Sequence, residues 1–543
     1  MLNKKIPELY DHQVEALDFI KDKPVFALFM EMGTGKSKVV IEKVYELQVC
    51  NKINAVIIIS PNAVKDQWVT EQMPLHYPSD NWAGVVWNGL KTKTAKKDFN
   101  DKFNGNKALF VFSVNVEAFQ SSAIDPYIEF ILKNRKCFIV IDESAKIKNG
   151  RRKPTRGKRS GAIRTNKILD YFERSTYKCI LTGTPTPNNP FDLWSQFEFL
   201  KKDFFNMDHF FFTHHHGIMI QKSTNEGKRY YTVLDEVTYK IIKSVLSKKE
   251  KLDHRFVEDT ALRYGLKTND IINIHKMEKY SGYKNLKDLR EKVSEITFFK
   301  KKQDCLDLPD KVYETLDCVM TKDQLKIYKE LKSQMYSEYD TKELTVTSKM
   351  VMALRLQMIT GGLFPYAESE IKIDKEGEQY VDTHFEYSRI ENSCKVKVLL
   401  DDIENVDIET SIIVWARFRG EIEMIKEALT EAGYTCEKYY GGSTIDVIDR
   451  FKNKDIRILI ANPLKGGEGL NLQVSTLHYF YSNSFKADSR LQAEDRSHRI
   501  GQVNKVTYKD LIVKGSVDEV VYSALKRKEN LINYFRTNPR ELP

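Results

Sequence analysis

Short apolar runs separated by longer amphipathic stretches recur along the first part of the chain. Five such runs lie at 25–29, 55–59, 109–112, 137–141 and 179–181. The stretches between them are long enough for a crossover helix, and this rhythm is typical of a buried parallel β-sheet. A second series lies at 411–415, 435–439, 456–460, 476–480 and 507–512. The pattern predicts an α/β protein with two parallel-sheet lobes in tandem.

A lysine-rich segment with helical patterning separates the two series of predicted strands. We therefore expect a first lobe over 1–205, a mainly helical insertion over 206–308 and a second lobe over 309–543. Within the second lobe, the acidic, glycine-punctuated stretch near 360–392 is either a flexible loop or a small hairpin.

The composition of the 543-residue chain is that of a globular protein with ample apolar material, 41% hydrophobic and 30% charged residues. A formal net charge of +10 favours a polyanionic partner such as nucleic acid. The seven cysteines are scattered, without a CxxC pair or zinc-ligand spacing, so we expect reduced thiols. No signal peptide or membrane-spanning stretch is evident, which predicts a cytoplasmic protein without a membrane partner. Nothing in the sequence defines an oligomeric state, and a monomer is the default expectation.

A glycine-containing segment follows the first apolar run, where residues 30–37 are Met-Glu-Met-Gly-Thr-Gly-Lys-Ser. Gly33, Thr34 and Gly35 would let the backbone curl so that its N–H groups surround the phosphates of ATP. Lys36 would contact the β- and γ-phosphates, and the Ser37 hydroxyl would ligate Mg²⁺. The spacing is that of a P-loop with Met30 in the first glycine's place. Taken alone, the segment is also compatible with a plain glycine turn before a helix.

Two carboxylates, Asp142 and Glu143, end the fourth apolar run. Ligands of parallel sheets bind at the carboxyl ends of the strands. Asp142 can hold Mg²⁺ through water, and Glu143 can orient and deprotonate the water that attacks the γ-phosphate. A lone Asp-Glu pair is usually a solvated turn, but its pairing with the P-loop favours the catalytic interpretation.

Two arginines in the segment 492–502 are candidates for a third part of the ATPase site. Arg496 and Arg499 are three residues apart, which would place both on one face of a helix. Two arginines on a helix are more often surface charge. A nucleotide held between two lobes, however, needs positive charge from the second lobe to stabilise the transition state.

Together these residues resemble helicase superfamily two, and within it the SNF2 family of double-stranded DNA translocases. Residues 10–13, 60–68 and 181–189 are similar to successive motifs of the family's first lobe, and 466–472 and 499–502 to motifs of its second lobe. The resemblance implies two RecA-like lobes and an ATP-dependent motor on duplex DNA. It also implies adenine contact by Gln13 and coupling of hydrolysis to lobe movement by Thr182, Gly183 and Thr184. Gly467 and Gln492 become candidates for nucleotide binding.

The chain departs from the family pattern at three places. Ser144 and Ala145 stand where the family usually has alanine and then histidine, so the contact made by that histidine is absent at Ala145. The hypothesis that follows is that coupling is arranged differently in this chain. Lys465 and Met30 replace small residues. None of these changes removes a catalytic group. Because the motifs begin at residue 10 and end near 515, we expect a compact motor of bacterial or phage type.

Nucleic-acid contacts are predicted from charge and from the resemblance. The stretch 148–159 holds seven basic residues and no acid, and a motor that moves along DNA grips phosphates rather than base edges. A solvated loop is the alternative for this stretch. The resemblance adds three candidates from motifs that line the bound DNA in the family. The predicted contacts are Arg151, Arg152, Arg156, Arg159, Ser113, Gly466 and Asn471.

The sequence leaves three candidate functions. The first is an ATP-dependent translocase on double-stranded DNA that remodels, displaces DNA-bound proteins or anneals strands. The second is a strand-separating helicase on DNA or RNA with the same ATPase core. The third, a non-enzymatic clamp, predicts loss of Lys36, Glu143 or Arg499, and all three are present. A metal site at 214–216 is disfavoured because consecutive histidines do not easily converge on one ion, and the phenylalanines at 204–205 and 210–212 are expected in the core.

Overall fold

The computed structural model forms two compact units, Met1–Leu306 and Asp307–Pro543. Each unit is described by itself. The structure describes residues 6–62, 64–150, 152–155, 158–160, 162–186, 189–223, 229–234, 236–247, 253–276, 281–305, 308–337, 346–373, 379–441, 443, 446–463 and 470–527.

The first unit contains a seven-stranded sheet in which every pairing is parallel, with the order β11-β1-β8-β5-β2-β4-β3. Two small antiparallel hairpins, β6-β7 and β9-β10, lie outside this sheet. The strands of the first unit are β1 (Val25–Met30), β2 (Ala55–Ser60), β3 (Trp82–Val86), β4 (Leu109–Asn115), β5 (Cys137–Asp142), β6 (Arg152–Thr155), β7 (Lys158–Ser160), β8 (Tyr177–Leu181), β9 (Met219–Ser223), β10 (Arg229–Val233) and β11 (Thr297–Lys300).

The large sheet is covered on both faces, which explains why its strands are continuous apolar runs. Ala27 and Phe29 of β1 belong to one buried cluster, whereas Phe26, Leu28 and Met30 belong to another. The helices of this unit are α1 (Asp11–Ile20), α2 (Lys36–Val49), α3 (Lys65–Gln67), α4 (Met73–His76), α5 (Lys93–Asn104), α6 (Asp125–Asn134), α7 (Ile163–Phe172), α8 (Asp192–Leu200), α9 (His209–His216), α10 (Glu236–Leu246), α11 (His254–Tyr264), α12 (Thr268–Lys276) and α13 (Leu286–Ser294).

The segment predicted as a helical insertion contributes a strand to the first sheet. β11 lies within 206–308, yet it pairs in parallel with β1, with Thr297 opposite Ala27. The same range also contains the β9-β10 hairpin, whose residues pack with α10 to α12 around a separate small core. The sequence analysis missed these strands because a four-residue edge strand and a short polar hairpin carry little periodic signal.

The second unit contains a six-stranded sheet, again with every pairing parallel, in the order β12-β19-β18-β15-β17-β16. Its strands are β12 (Lys311–Cys318), β13 (Leu363–Ile373), β14 (Gln379–Arg389), β15 (Ile412–Trp415), β16 (Cys436–Tyr439), β17 (Ile458–Ala461), β18 (Leu477–Phe480) and β19 (Val506–Val513). β13 and β14 form an antiparallel hairpin, which confirms the hairpin alternative for the stretch near 360–392. The two tandem parallel sheets confirm the predicted fold class.

Helices cover both faces of the second sheet and supply the segments that follow its strands. They are α14 (Lys322–Ser337), α15 (Val346–Thr360), α16 (Cys394–Glu404), α17 (Arg419–Glu431), α18 (Asp446–Lys452), α19 (Ala487–Glu494) and α20 (Val517–Lys526). Among the described residues of either unit, no helix combines the length and the apolar character needed to cross a bilayer.

Candidate nucleotide-binding site

The loop between β1 and α2 has the backbone geometry of a phosphate-binding loop. Gly33 and Gly35 have φ angles of +80° and +82°, a left-handed conformation that glycine adopts without the steric cost that a Cβ brings. Lys36 begins the helix directly after Gly35. The first backbone N–H groups of α2 therefore lie at the loop, where they would stabilise a bound anion.

Helix α1 braces this loop from behind through Thr34, which is fully buried. The Thr34 carbonyl oxygen lies 2.8 Å from His12 Nε2 and accepts from Gln13 Nε2 at 3.2 Å. The Gln13 side-chain oxygen accepts from the N–H of Tyr10 at 3.1 Å. Gln13 is thus placed beside the loop, as its candidate role requires. His12 was not predicted, and no spacing or pattern in the sequence distinguishes it.

Lys36 folds back over the loop that precedes it. Its Nζ donates to the main-chain oxygens of Met30 at 2.8 Å and Glu31 at 3.3 Å. The Met30 side chain is fully buried in the core, so only its backbone faces the loop. This explains why a large residue is accommodated at the first glycine's place. Ser37 follows in the first turn of α2 and is half-buried.

Asp142 ends β5, and both of its carboxylate oxygens accept hydrogen bonds. Trp68 Nε1 donates to Oδ2 and the N–H of Glu143 donates to Oδ1, each at 3.0 Å. Desolvation by the surrounding protein, followed by repulsion from Glu143, raises the pKa of Asp142 to about 6, although Lys36 and Trp68 act to lower it. A carboxylate whose pKa is raised by burial and by a second carboxylate would be stabilised in its charged form by a bound cation.

The segment after β8 reaches this pair of carboxylates. The Thr182 hydroxyl donates to Glu143 Oε2 at 3.2 Å and accepts from the N–H of Thr184 at 3.1 Å. A Cβ at Gly183 would lie 3.2 Å from the backbone nitrogen of Met32, so a glycine permits the close approach of the two loops. The structure therefore brings the candidate coupling residues to the candidate nucleotide loop.

A buried connection next to Glu143 was missed in the sequence. The Ser144 hydroxyl donates to Gln196 Oε1 at 2.6 Å, and Gln196 Nε2 donates to the carbonyl oxygen of Pro185 at 2.7 Å. Ser144 and Gln196 are both 0% exposed. A signal was present, because a glutamine inside the apolar helix α8 requires buried partners.

Two groups of predicted nucleic-acid contacts are changed or left open by the structure. The prediction for Ser113 is wrong as a direct contact, because the residue is 0% exposed and its hydroxyl donates to the Lys65 carbonyl at 2.6 Å. Ser113 holds the backbone of Lys65 instead. The predictions for the basic stretch and the glycine loop lie outside the described residues or side chains; they concern Arg151, Arg152, Arg156, Arg159 and Gly466. The nucleotide contact predicted for Gly467 also lies outside the described residues.

In the second unit, α19 ends at Glu494, so Arg496 and Arg499 lie in the turns beyond it. The prediction that both occupy one helical face is wrong. The helix ends there because residues 496–502 form hydrogen bonds with the segment after 470. The N–H of Leu472 donates to the Arg496 carbonyl at 3.0 Å, and Gln502 Nε2 donates to the Gln473 carbonyl at 3.1 Å.

The remaining second-unit candidates lie close in sequence to these turns. Gln492 is half-buried on α19. Asn471 is exposed, and its side-chain oxygen accepts from the N–H of Gln473 at 3.3 Å. Arg499 donates to the Leu470 carbonyl at 3.4 Å. Asn471 and both arginines thus lie in two segments, the one after 470 and 496–502, that are joined by hydrogen bonds.

The aromatic and histidine-rich segment at α9 is divided between core and surface. Phe204, Phe205 and Phe212 are buried, as predicted, but Phe210 and Phe211 are 55% and 60% exposed. The prediction that all five belong to the core is therefore wrong for two of them. Within the part of the chain that the structure describes, no group of three or more His, Cys, Asp or Glu side chains is arranged to hold a metal ion.

Comparisons with known proteins identify the family. A family model described as SNF2-related domain matches residues 21–361, and one described as helicase conserved C-terminal domain matches residues 394–501. ATP-dependent helicase FUN30 of Saccharomyces cerevisiae is 24% identical over 563 residues, which cover 97% of this chain and 46% of that protein. The SWI/SNF chromatin-remodeling complex subunit snf22 of Schizosaccharomyces pombe is 23% identical over 527 residues, which cover 92% of this chain and 26% of that protein.

The chain spans less than half the length of these two curated relatives. Among solved structures, the SWI2/SNF2 ATPase core of Sulfolobus solfataricus in complex with dsDNA matches 98% of this chain and 94% of that chain, with 18% identity and a TM-score of 0.37. Because the SNF2-related domain matches well over half of the sequence, the chain belongs to the SNF2-related family.

Proposed function

We propose that the chain is an ATP hydrolase that couples hydrolysis to movement along double-stranded DNA. The observation that carries this proposal is the convergence of Lys36, Asp142, Glu143 and Thr182 beyond the ends of β1, β5 and β8. Curated relatives named as an ATP-dependent helicase and as a chromatin-remodeling subunit support it. Remodeling, displacement of DNA-bound proteins or strand annealing would be the outcome of that movement.

In this proposal the first unit binds the phosphates of ATP. The backbone N–H groups of Gly33, Thr34 and Gly35 and the ammonium of Lys36 would contact them. Ser37 and Asp142 would hold Mg²⁺, which when bound neutralises negative charge on the phosphate oxygens. The donor set fits, since a hydroxyl and a carboxylate supply the oxygen ligands that Mg²⁺ takes, and burial beside Glu143 raises the pKa of Asp142.

Glu143 would orient the attacking water and receive its proton. Its backbone has a φ angle of +53°, a conformation that a non-glycine residue adopts at some cost. The Thr182 hydroxyl donates to one oxygen of the Glu143 carboxylate. The other carboxylate oxygen would then accept from the attacking water. Residues with such backbone strain cluster at active sites, which supports a catalytic role for Glu143.

The second unit would supply positive charge and contacts to the track. Arg496 and Arg499 would stabilise charge that develops in the transition state, and Gln492 and Gly467 would contact the nucleotide. Asn471, Gly466 and the basic residues at 151, 152, 156 and 159 would contact DNA phosphates. The net charge of +10 supports a polyanionic track. The division into 1–205, 206–308 and 309–543 is part of the same proposal, with β11 of the middle range belonging to the sheet of the first unit.

The experiment compares steady-state ATP hydrolysis without nucleic acid and with duplex DNA, single-stranded DNA or RNA. A parallel assay measures displacement of a triplex-forming strand from duplex DNA. Stimulation by duplex DNA together with ATP-dependent triplex displacement would support the proposal. Stimulation by RNA alone, or separation of a forked duplex without triplex displacement, would favour a strand-separating helicase instead.

A further inference from the structure

Gln196 joins the turn that carries Glu143 to the segment that carries Thr182. Its side-chain oxygen accepts from the Ser144 hydroxyl at 2.6 Å, and its side-chain nitrogen donates to the carbonyl oxygens of Pro185 at 2.7 Å and Asp192 at 3.0 Å. Ser144 and Gln196 are both 0% exposed. Every atom of this amide that can form hydrogen bonds is therefore engaged by protein in a site without water access.

The orientation of the amide follows from its neighbours. Two carbonyl oxygens, those of Pro185 and Asp192, face one end of the Gln196 side chain. Only the nitrogen can occupy that end, because an oxygen there would meet two acceptors. The oxygen must then face Ser144, so the serine hydroxyl is the donor. The direction of every hydrogen bond in the connection is fixed.

The two segments are therefore linked twice. One link runs from the Thr182 hydroxyl to the Glu143 carboxylate at 3.2 Å, where Thr182 is 0% exposed and Glu143 is half-buried. The other is the Ser144–Gln196–Pro185 link, in which both side chains are fully buried. Water or nucleotide that reaches the half-buried Glu143 carboxylate can compete for the first link, whereas neither side chain of the second link meets solvent.

The Ser144 hydroxyl forms its hydrogen bond toward α8, which follows the Thr182 segment in the chain. Ala145, the next residue, has only a methyl group, so Ser144 supplies the side-chain hydrogen bond of this turn toward α8.

We propose that Gln196 is a positioning residue that, with Ser144, transmits the state of the Glu143 turn to the segment 182–186. This inference rests on the proposed ATPase function. In this role Gln196 does not contact ATP. When a bound γ-phosphate displaces the Glu143 turn, the hydrogen bonds of Gln196 displace the Pro185 carbonyl as well.

The test uses the whole chain with Gln196→Met, which keeps the length of the side chain and removes its hydrogen bonds. The control is Gln324→Met in the second unit. Gln324 is also 0% exposed, donates to the Ile359 carbonyl at 3.1 Å and accepts from the N–H of Cys394 at 3.0 Å. Both variants lose a satisfied buried amide, so a purely structural effect would be similar in the two.

The first readout is amide hydrogen exchange in the segment 182–186, with and without a non-hydrolysable ATP analogue. In the wild type, we expect the analogue to slow exchange there by about tenfold, the typical size of a coupling between two sites. In Gln196→Met, the analogue should bind with a dissociation constant within about twofold of the wild type, yet leave exchange at 182–186 unchanged. Gln324→Met should behave as the wild type.

The second readout is hydrolysis. We expect Gln196→Met to lose about tenfold in DNA-stimulated kcat, with basal kcat and KM for ATP within about threefold. Analogue-dependent protection of 182–186 in Gln196→Met equal to that of the wild type would overturn the inference, as would an equal loss of protection in Gln324→Met. If Gln196→Met does not fold, Ser144→Ala removes the same link by one hydroxyl and is judged by the same criteria.

These outcomes separate the inference from the function on which it rests. A wild type that binds the analogue but hydrolyses no ATP would contradict the proposed function, while the exchange comparison would still decide the role of Gln196. A wild type whose hydrolysis is stimulated by DNA, with unchanged stimulation in both Gln196→Met and Ser144→Ala, would retain the function and refute the inference.

Discussion

Each unit contains a cluster in which two carboxylates lie beside positive charge, and the two clusters differ in the balance of charge around the carboxylates. The nucleotide-loop cluster of the first unit consists of Lys36, Asp142 and Glu143. The Arg490 cluster of the second unit consists of Arg490, Glu494 and Asp510, with Lys311 bonded to Glu494 at 2.9 Å. In the second cluster, Arg490 forms hydrogen bonds to both carboxylates, at 2.7 Å to Glu494 and at 2.5 and 3.0 Å to Asp510.

The pKa shifts of the two clusters have opposite signs. Desolvation acts to raise the pKa of Glu494, but attraction to Arg490 and Lys311 is stronger and the pKa is lowered overall. In the nucleotide-loop cluster, desolvation and repulsion prevail and the pKa of Asp142 is raised. A carboxylate satisfied by its own protein stabilises the fold, whereas one that remains short of positive charge is suited to bind a cation.

The largest expected effect concerns Glu143. Glu143→Gln keeps the size of the side chain and removes the proposed base, so we expect kcat for ATP hydrolysis to fall by about 10²- to 10⁴-fold, the usual contribution of a general base. ATP binding should be retained, because in the proposed site Lys36 and the loop backbone hold the phosphates. Single-turnover hydrolysis and equilibrium nucleotide binding measure the two quantities separately.

The matched change in the other cluster is Glu494→Gln, which should alter stability and not the chemistry of hydrolysis. Retained turnover in Glu143→Gln would show that this carboxylate is not the base. A comparable loss of kcat in a folded Glu494→Gln would show that the contrast between the two clusters does not distinguish a site from a structural network.

The second prediction concerns the stability of the second unit. Arg490→Met should lower its free energy of unfolding by about 3–5 kcal/mol, because Asp510 would remain buried without the cation that bonds to it and Glu494 would be left with the cation of Lys311. Arg490 also lies with its guanidinium carbon 3.3 Å from the ring centroid of Phe480, so packing is lost as well. Urea denaturation followed by circular dichroism measures the change.

The control is Arg389→Met, which breaks an exposed pair. Arg389 bonds to Glu427 through both nitrogens, and the two side chains are 44% and 55% exposed. Exposed pairs contribute about 0–1 kcal/mol. Equal losses in Arg490→Met and Arg389→Met would mean that burial does not determine the contribution of these pairs.

Both clusters contain residues of ordinary types, and only one was found from the sequence. Lys36 and Asp142 were predicted because a glycine loop and the end of an apolar strand have recognisable spacings. Arg490 and Asp510 are twenty residues apart on different elements, and no local pattern connects them. The two sheets were predictable for the same reason as Lys36, since buried parallel strands are continuous apolar runs.

The parts that were missed depend on tertiary contacts. β11 pairs with β1 although almost the whole unit lies between them in sequence, and a four-residue edge strand has no distinct periodicity. The placement of Arg496 and Arg499 was wrong because spacing alone suggested a continued helix, whereas bonds to the segment after 470 end it at Glu494. Ser113 was misplaced because family position does not show which way a hydroxyl points.

Glu421 is another buried carboxylate with a raised pKa, and it lies in the second unit, far from the nucleotide loop in sequence. Burial raises the pKa of Glu421 from 4.5 to about 7, against the opposing effects of Ser482 and Lys395. Glu421 is 0% exposed and packs against Gly361, so solvent does not reach this carboxylate. A raised pKa therefore indicates a site only where the carboxylate is accessible.

The pH dependence of stability tests this statement. Between pH 4.5 and about 7 the folded protein holds a proton on Glu421 that the unfolded chain has released. The free energy of unfolding should then fall as the pH rises through this window, by about 3 kcal/mol at most. Glu421→Gln should remove this part of the dependence. Urea denaturation of both proteins at pH 5 and pH 8 measures it, and identical slopes would contradict the assignment.

The smallest expected effect concerns the hydrogen bond from Trp68 to Asp142. Because the indole N–H lowers the pKa of Asp142, Trp68→Phe should raise it, by up to about one pH unit. If ionised Asp142 is needed for Mg²⁺, kcat/KM for ATP should fall as the pH drops through about 6 in the wild type. The variant's acid limb should then lie at higher pH.

The control for that shift is Trp194→Phe in the same unit. Trp194 is 3% exposed and donates its indole N–H to the Met207 carbonyl at 2.9 Å, so it loses a comparable hydrogen bond that does not involve Asp142. An acid limb displaced equally in both variants would indicate a general loss of stability. An acid limb of the pH profile displaced only in Trp68→Phe would identify Asp142 as the titrating group. Of the two variants, only Trp68→Phe removes a hydrogen bond to that carboxylate.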